Sequence, residues 1–203
     1  MNNPNLQQVP ARNEAIGPKI RSLFLPEEGE KWASLDYSQQ EPRLLVHYAK
    51  KHGLEGADTM IKFFRDGEDF HQVTANMAGI SRKEAKTIGL GLMYGMGIAK
   101  LAASLDISQE QAKALKKKYN DNVSFLNNII VRATRYTEQN GYINTLLGRR
   151  CRFDLWENKD FHDKRMMSHE NAKKTWQWNE MKRAGTYRAL NRLIQGSAAD
   201  QTK

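Results

Sequence analysis

The sequence predicts an α+β fold, with short strands towards both ends and a long helical middle. Three observations carry this. Residues 20–25 alternate apolar and polar, and a turn at Pro26-Glu27-Glu28-Gly29 leads to a second short run, 31–35, apolar at Trp32, Ala33 and Leu35. From residue 39 to residue 139 apolar positions recur at helical spacing, interrupted by glycines and by helix-start signals. Residues 142–147 then read as a strand that leads through Gly148 to a basic tip, Arg149-Arg150.

The totals limit what such a chain can be. At 203 residues it can bury a real core, as one large domain or two small ones. A net charge of +9 points to a polyanionic partner, nucleic acid or an anionic membrane surface. No stretch approaches the roughly 18 apolar residues of a membrane-spanning helix, and the polar start Met1-Asn2-Asn3-Pro4-Asn5 does not read as a signal peptide. A lone cysteine, Cys151, excludes an internal disulfide and fits a reducing compartment, the cytoplasm. Repeats and low-complexity segments are absent.

Residues 1–30 hold Pro4, Pro10, Pro18 and Pro26 and read as extended, turn-rich chain. The run ending at Leu35 places Asp36 at a strand-to-helix junction, because residues 44–49 read as a buried helical run. Two readings of that junction stand side by side. A carboxylate held rigidly there suits a hard cation such as magnesium, which takes oxygen ligands from one or two carboxylates plus substrate phosphates. Alternatively Ser38 and Glu41 form a capping box and Asp36 is an ordinary turn residue. The helical pattern of 39–66 breaks near Gly53-Leu54-Glu55-Gly56, and His71 falls near the start of the next short helix. A histidine there is structural unless other groups join it.

Ser81 and Glu84 form a second capping-box pattern and open a helix carrying Arg82, Lys86, Leu90 and Tyr94. Steps of four turn the helix by about 400°, so these side chains follow one stripe, cationic at its N-terminal end and aromatic at its C-terminal end. Helix N-termini attract phosphate, and two cations stacked on one suit a triphosphate; a solvated basic face is the plainer reading. Gly89, Gly91, Gly95 and Gly97 each cost about 0.8–1 kcal/mol in a helix interior, which close approach by a planar base or a mobile helix would justify. Helices follow at 98–105, after Ser108, and over 112–119 and 123–139, with Gly141 as the stop. Lys116-Lys117-Lys118 reads as a solvated face, and Arg149-Arg150 as suited to phosphate-backbone contacts. Residues 151–183 are polar, with Trp156, Trp176 and Trp178 among cations, and read as an exposed insertion touching nucleic acid. Cys151, His162 and His169 lack the paired spacing of a zinc site. The end, 187–200, is helical, with Asn191 and Gln195 on one face, where amides can read minor-groove acceptors.

Asp36-Tyr37-Ser38-Gln39-Gln40-Glu41-Pro42-Arg43, then Arg82, Lys86 and Tyr94-Gly95, then Gln195-Gly196-Ser197-Ala198-Ala199-Asp200, resemble in that order the motifs of the family A (Pol I-like) DNA polymerases. Residues 4–10 and 145–150 resemble further family segments, so the likeness covers nearly all of the chain outside 151–183. The resemblance implies a polymerase palm, an antiparallel sheet with helices, into which a mainly helical fingers region is inserted. The palm would take residues 1–60 and 184–203, the fingers 61–148, and a polar insertion 149–183. The reaction implied is template-directed DNA synthesis, nucleotidyl transfer from dNTPs to a primer 3′-hydroxyl with two Mg2+ ions. Asp36 would hold the ions, helped by the Tyr37 carbonyl. Glu41 would be the steric gate against a ribose 2′-hydroxyl. His71, Arg82 and Lys86 would hold the triphosphate, with Lys86 assisting the leaving pyrophosphate, and Leu90 and Tyr94 would line the dNTP site. Asn191 and Gln195 would touch the minor groove at the primer end, while Asn5, Gln7, Arg12, Arg149 and Arg150 would contact DNA. The implied partners are a DNA primer-template and dNTPs, without a membrane, the protein acting as a monomer.

Leu90 stands where the family usually has an aromatic residue, and Pro42 replaces an apolar one. The family's second metal carboxylate, in a His-Asp-Glu turn beyond Asp200, has no counterpart in these residues. Two-metal catalysis needs that partner, so the 203 residues alone are expected to be inactive, as part of a longer chain. Leu90 and the insertion favour a viral replicase. A non-catalytic DNA- or nucleotide-binding module is the alternative, and would bind DNA in a salt-sensitive way without magnesium. A single-subunit RNA polymerase is a closer rival, against which Glu41 and Tyr94 argue.

Overall fold

Proline at the start of a helix pre-sets the backbone, and Pro18 does so in α1 (Gly17–Arg21). The computed structural model containing this helix describes residues 15–33, 35–160, 162–163 and 165–202. They divide into two compact units, residues 1–38 and 39–203. In the first, the strand expected at 20–25 does not form. Its first two residues finish α1, and Leu23 N–H and Phe24 N–H extend the turn onto the carbonyls of Ile20 and Arg21, at 3.2 and 3.1 Å. The strand expected at 31–35 is also irregular where described, Ser34 lying outside the described residues. Leu23, Leu25, Trp32 and Leu35 are 68–94% exposed, so the alternation that suggested strands buries no face.

The second unit opens with four helices, α2 (Gln40–Lys51), α3 (Ala57–Arg65), α4 (Phe70–Ala78) and α5 (Arg82–Met93). Gly53 and Gly56, at φ 64° and 86°, make the expected break between α2 and α3. α5 begins at a complete Ser81–Glu84 capping box. α6 (Ile98–Leu105), α7 (Gln109–Asn122) and α8 (Ser124–Asn140) follow. A second capping box, Ser108 with Gln111, opens α7, and Gly141 at φ 77° ends α8. Hairpin strands β1 (Tyr142–Asn144) and β2 (Arg150–Arg152) pair antiparallel, with Ile143 opposite Cys151. After the insertion, α10 (Ala189–Thr202) returns across α2, α8 and β1. The main core forms where these meet, around Leu45, Met60, Phe70, Tyr119, Phe125, Ile129, Leu190 and Ile194. Each such side chain removed from water is worth roughly 1.5–3 kcal/mol.

α10 is seated by small residues. A Cβ at Gly196 would lie 2.6 Å from Thr145 Cγ2, so glycine lets the helix reach the β1–β2 turn. The Ser197 hydroxyl, fully buried, accepts from Leu146 N–H at 2.9 Å and shares a 2.9 Å hydrogen bond with the Tyr48 hydroxyl. Most of the glycines after residue 88 have internal reasons too. A Cβ at Gly89 would lie 3.0 Å from the Tyr119 hydroxyl, and one at Gly91 would lie 3.1 Å from Met96 Sδ. Gly95, at φ 70°, turns the chain beside Tyr187. Helix packing and a turn give these three a local account within the fold. Lys118, read as solvated, instead donates to the Gly79 carbonyl at 2.7 Å and ties α7 to the end of α4.

Residues 155–183 fold on their own cluster. β3 (Leu155–Asn158) is the centre of a three-stranded antiparallel sheet, between β4 (Met166–Ser168) and β5 (Met181–Arg183). Trp156 sits opposite Met167 on one side and Arg183 on the other. α9 (His169–Thr175) covers the sheet, so Trp156, Ala172, Trp176 and Met181 form a core separate from the main one. The segment is therefore a small packed layer, though Trp178 remains 66% exposed. No described helix is long and apolar enough to cross a membrane.

Candidate functional site

The start of α2 is set by Gln39, whose backbone is left-handed at φ 55°. Its side-chain oxygen accepts from Phe70 N–H at 2.7 Å and its amide donates to the Glu68 carbonyl at 3.3 Å, so α2 and α4 begin against each other. The N-cap of this helix is Gln39 itself, which gives it no side-chain cap hydrogen bond. Glu41 is turned elsewhere: its carboxylate accepts from the Tyr94 hydroxyl at 2.5 Å. Tyr94 is the C-cap of α5. Burial and the negative Glu41 push its hydroxyl up to about 12, while Gln195 on α10 hydrogen-bonds to it and pulls the other way. Three segments remote in sequence thus meet at one hydroxyl.

The other end of α5 carries the cations. Arg82 pairs with Asp69 at 3.0 Å, and Asp69 also caps α4 by accepting from Gln72 N–H at 2.8 Å. Burial alone would raise the Asp69 carboxyl, but the bonds from Arg82 and Gln72 outweigh it and hold it below the usual range. Lys86, one turn on, is half-buried and makes no ion pair among the described residues. His71, in the first turn of α4, is 8% exposed and its Nδ1 has no partner among the described residues. Burial lowers its pKa, Lys86 and Arg82 lower it further, and Asp69 opposes them, so the ring is neutral at pH 7. Leu90 is half-buried against the main core.

On α10, Asn191 is half-buried and Gln195 exposed, one turn apart. The two arginines of the hairpin tip differ. Arg149 is engaged within the chain, donating to Asp200 at 2.7 Å and to the Gly196 carbonyl at 2.7 Å. Arg150 lies 4.0 Å over the Tyr142 ring. Sequence reading missed Gln39 and Asp69 altogether. Asp69 carried a signal, an acid immediately before a helix start; Gln39 carried none. Gln40, also missed, donates to the Ala198 carbonyl at 3.2 Å and joins α2 to α10.

In the other unit, Asp36 and Tyr37 are exposed on irregular chain, and Asp36 makes no ion pair among the described residues. Asn5, Gln7 and Arg12 lie outside the described residues. Among the described residues there is no group of three or more His, Cys, Asp or Glu side chains able to hold a metal ion. The donors at Asp36 and Tyr37, one free carboxylate and an adjacent carbonyl, have the oxygen chemistry of a hard divalent cation that completes its shell with water and phosphate.

Within residues 39–203, α5 thus presents Arg82 and Lys86 at one end and, at the other, a tyrosine hydrogen-bonded to a carboxylate. The family model for DNA polymerase family A matches residues 1–203, and the chain belongs to that family. It is 37% identical over 243 residues to a DNA-directed DNA polymerase of Pseudomonas phage M6, covering 98% of this chain and 33% of that protein. It is 34% identical over 209 residues to the thermostable DNA polymerase I of Thermus thermophilus, covering 98% of this chain and 22% of the relative. Among solved structures, the POL domain of Pol1 from M. smegmatis, in complex with DNA primer-template and dNTP, matches with a TM-score of 0.69 at 32% identity, over 97% of this chain and 32% of that one. The chain thus spans about a third or less of these relatives' length.

Proposed function

We propose that this chain contributes the nucleotide-binding part of a template-directed DNA polymerase, which transfers a nucleotidyl group from a dNTP to a primer 3′-hydroxyl. The observation that carries the reading is the meeting of Glu41, Tyr94 and Gln195 at the end of the helix whose other end bears Arg82 and Lys86 beside His71. Tyr94 is twelve residues beyond Arg82, a span of about 18 Å along a helix, which matches an extended triphosphate plus its nucleoside. Residues 1–60 and 184–203 form the palm, 61–148 the fingers and 149–183 an insertion in this reading.

Arg82 and Lys86 receive the phosphates and stabilise the charge that moves to the pyrophosphate. Asp69 holds the Arg82 guanidinium in place. His71, kept neutral by burial, donates a hydrogen bond without adding a third competing cation. Glu41, its direction fixed by Tyr94, closes the space where a ribose 2′-hydroxyl would project, so deoxyribose is favoured. Leu90 offers the sugar and base an apolar face without stacking. Asn191 and Gln195 would read minor-groove acceptors at the primer end, and Arg150 would contact the backbone. Asp36 with the Tyr37 carbonyl would hold magnesium, which supplies charge neutralisation and activates the attacking hydroxyl when bound.

The test is equilibrium binding of dTTP and its ribo counterpart, ribothymidine 5′-triphosphate, to the purified chain with magnesium. Wild type is expected to prefer dTTP, and Glu41→Ala to lose most of that preference while still binding dTTP. Equal binding of both nucleotides by wild type, or a preference unaffected by Glu41→Ala, would overturn the assignment of the gate. Asp36→Ala is expected to remove the magnesium dependence of binding.

A further inference from the structure

At the C-terminal end of α2, against α8, lies a cavity of about 650 Å³ lined by none of the site residues just described. Its walls are apolar at Ile129, Ala133, Ile143 and Leu193, and four basic side chains line it: Lys51, His52, Arg132 and Arg135. No carboxylate lines it, and none of the four makes an ion pair among the described residues. Lys51 and His52 close α2, where a helix dipole favours cations. That account does not reach Arg132 and Arg135, which lie in α8 well before its end at Asn140. They share one face with Tyr136, at spacings of three and four, where like charges repel unless something anionic joins them. Burial, then the Arg132 and Lys51 charges, lower the His52 pKa.

The basic cavity also has an aromatic exit. Tyr136 lines it, is 44% exposed, and meets Tyr142 edge-on at 6.0 Å. Tyr142 in turn lies under the Arg150 guanidinium, 4.0 Å away. Cations and two rings, Tyr136 exposed and Tyr142 half-buried, therefore run from the end of α2 to the hairpin tip. Cationic grooves with stacking rings are how proteins hold single strands without reading sequence. A pocket for a free nucleotide would need no such exit.

We propose that this track is a second DNA-contact surface, which holds a segment of single-stranded DNA through its phosphates on Lys51, Arg132 and Arg135 and one base against Tyr136. Apart from Arg150, which the proposed polymerase reading also gives to DNA, it rests on cations and rings that reading does not use.

The experiment is fluorescence anisotropy of a fluorescein-labelled oligodeoxythymidine with the full 203-residue chain, across a salt series. All substituted side chains are exposed, so circular dichroism should be unchanged in every variant. Arg132→Ala/Arg135→Ala is expected to weaken binding at least about tenfold and to flatten the salt slope by about 1.4, two single-strand phosphates at about 0.7 each. The control Lys100→Ala/Lys113→Ala removes equal charge from exposed positions elsewhere and is expected to cost under about threefold. Tyr136→Ala, which leaves charge unchanged, is expected to cost about fivefold or more. Magnesium-dTTP binding by Arg132→Ala/Arg135→Ala should equal wild type, so the two sites fail or stand separately. Equal losses in the cavity and control pairs, no loss with Tyr136→Ala, or displacement of the oligonucleotide by dTTP in the cavity would each overturn the proposal.

Discussion

The two ends of α5 are built on opposite principles. At the Arg82–Lys86 end, polar groups are left underused: Lys86 has no ion pair among the described residues, His71 Nδ1 is buried without a partner, and Arg82 has one half-exposed pair. At the Tyr94 end the polar groups are already satisfied within the protein, by a 2.5 Å hydrogen bond to Glu41 and by Gln195. In the proposed function the first is the binding end, which keeps donors available for the ligand to complete, and the second the gating end, which must be fixed beforehand because a gate that moves freely cannot discriminate. Substitutions at the two ends should therefore separate into effects on affinity and effects on shape and stability.

The largest effect is expected from Lys86→Ala. Loss of a hydrogen bond to a charged group is worth about 1.5–3 kcal/mol, so calorimetry should show magnesium-dTTP binding weakened roughly 10–100-fold. The melting temperature should hardly move; unchanged affinity with a lower melting temperature would reverse the comparison.

Next comes Gly196→Ala, which acts on the gating end through α10. The new methyl meets Thr145 Cγ2 at 2.6 Å and must displace α10 or the β1–β2 turn. Overpacking of this kind costs about 1–3 kcal/mol, which in a chain of this size lowers the melting temperature by several degrees. If scanning calorimetry finds no change, Gln195 is not positioned by this contact.

Tyr94→Phe should cost about 1 kcal/mol in stability and alter magnesium-dTTP affinity less than about twofold. The same bond has a pH signature. Because the folded pKa of Tyr94 is raised, its contribution to stability is complete below the ordinary tyrosine value near 10 and is lost as the pH rises towards about 12. Ultraviolet titration of Glu41→Gln should show one tyrosine ionising earlier, while Tyr119, raised to about 12 by burial, stays late.

The smallest effect is expected at His71. Its lowered pKa means that its contribution is complete above the ordinary histidine value and is lost as the pH falls through the lowered one. Removing the Lys86 charge should raise it measurably by NMR titration, and saturating dTTP should raise it further. No response to either would detach His71 from the binding end.

Signals spanning one or two helical turns were legible before the structure. Ser81 with Glu84 and Ser108 with Gln111 opened helices as their spacing predicts, and Gly141 closed one. The Arg82–Tyr94 stripe lies along one helix and its C-cap for the same reason. The strands expected at 20–25 and 31–35 failed because alternation describes only one partner of a sheet. Gln39, Asp69 and Asp200 gained their roles from partners 13 to 51 residues away, or 29 and 31 in the case of Gln39.

What the sequence determined alone was local and ordered: where helices begin and end, which side chains share α5, and a succession of motifs sufficient for the family. Backbone hydrogen bonding and steric propensity act over a few residues, so spacing records them directly. The tertiary structure decided which motif residues meet. Glu41 could cap its own helix or bond Tyr94, and Arg149 could face solvent or Asp200, with equal local plausibility. Packing of α2, α5, α8 and α10 around one core chose between them, because only the folded chain sets the distance between groups remote in sequence.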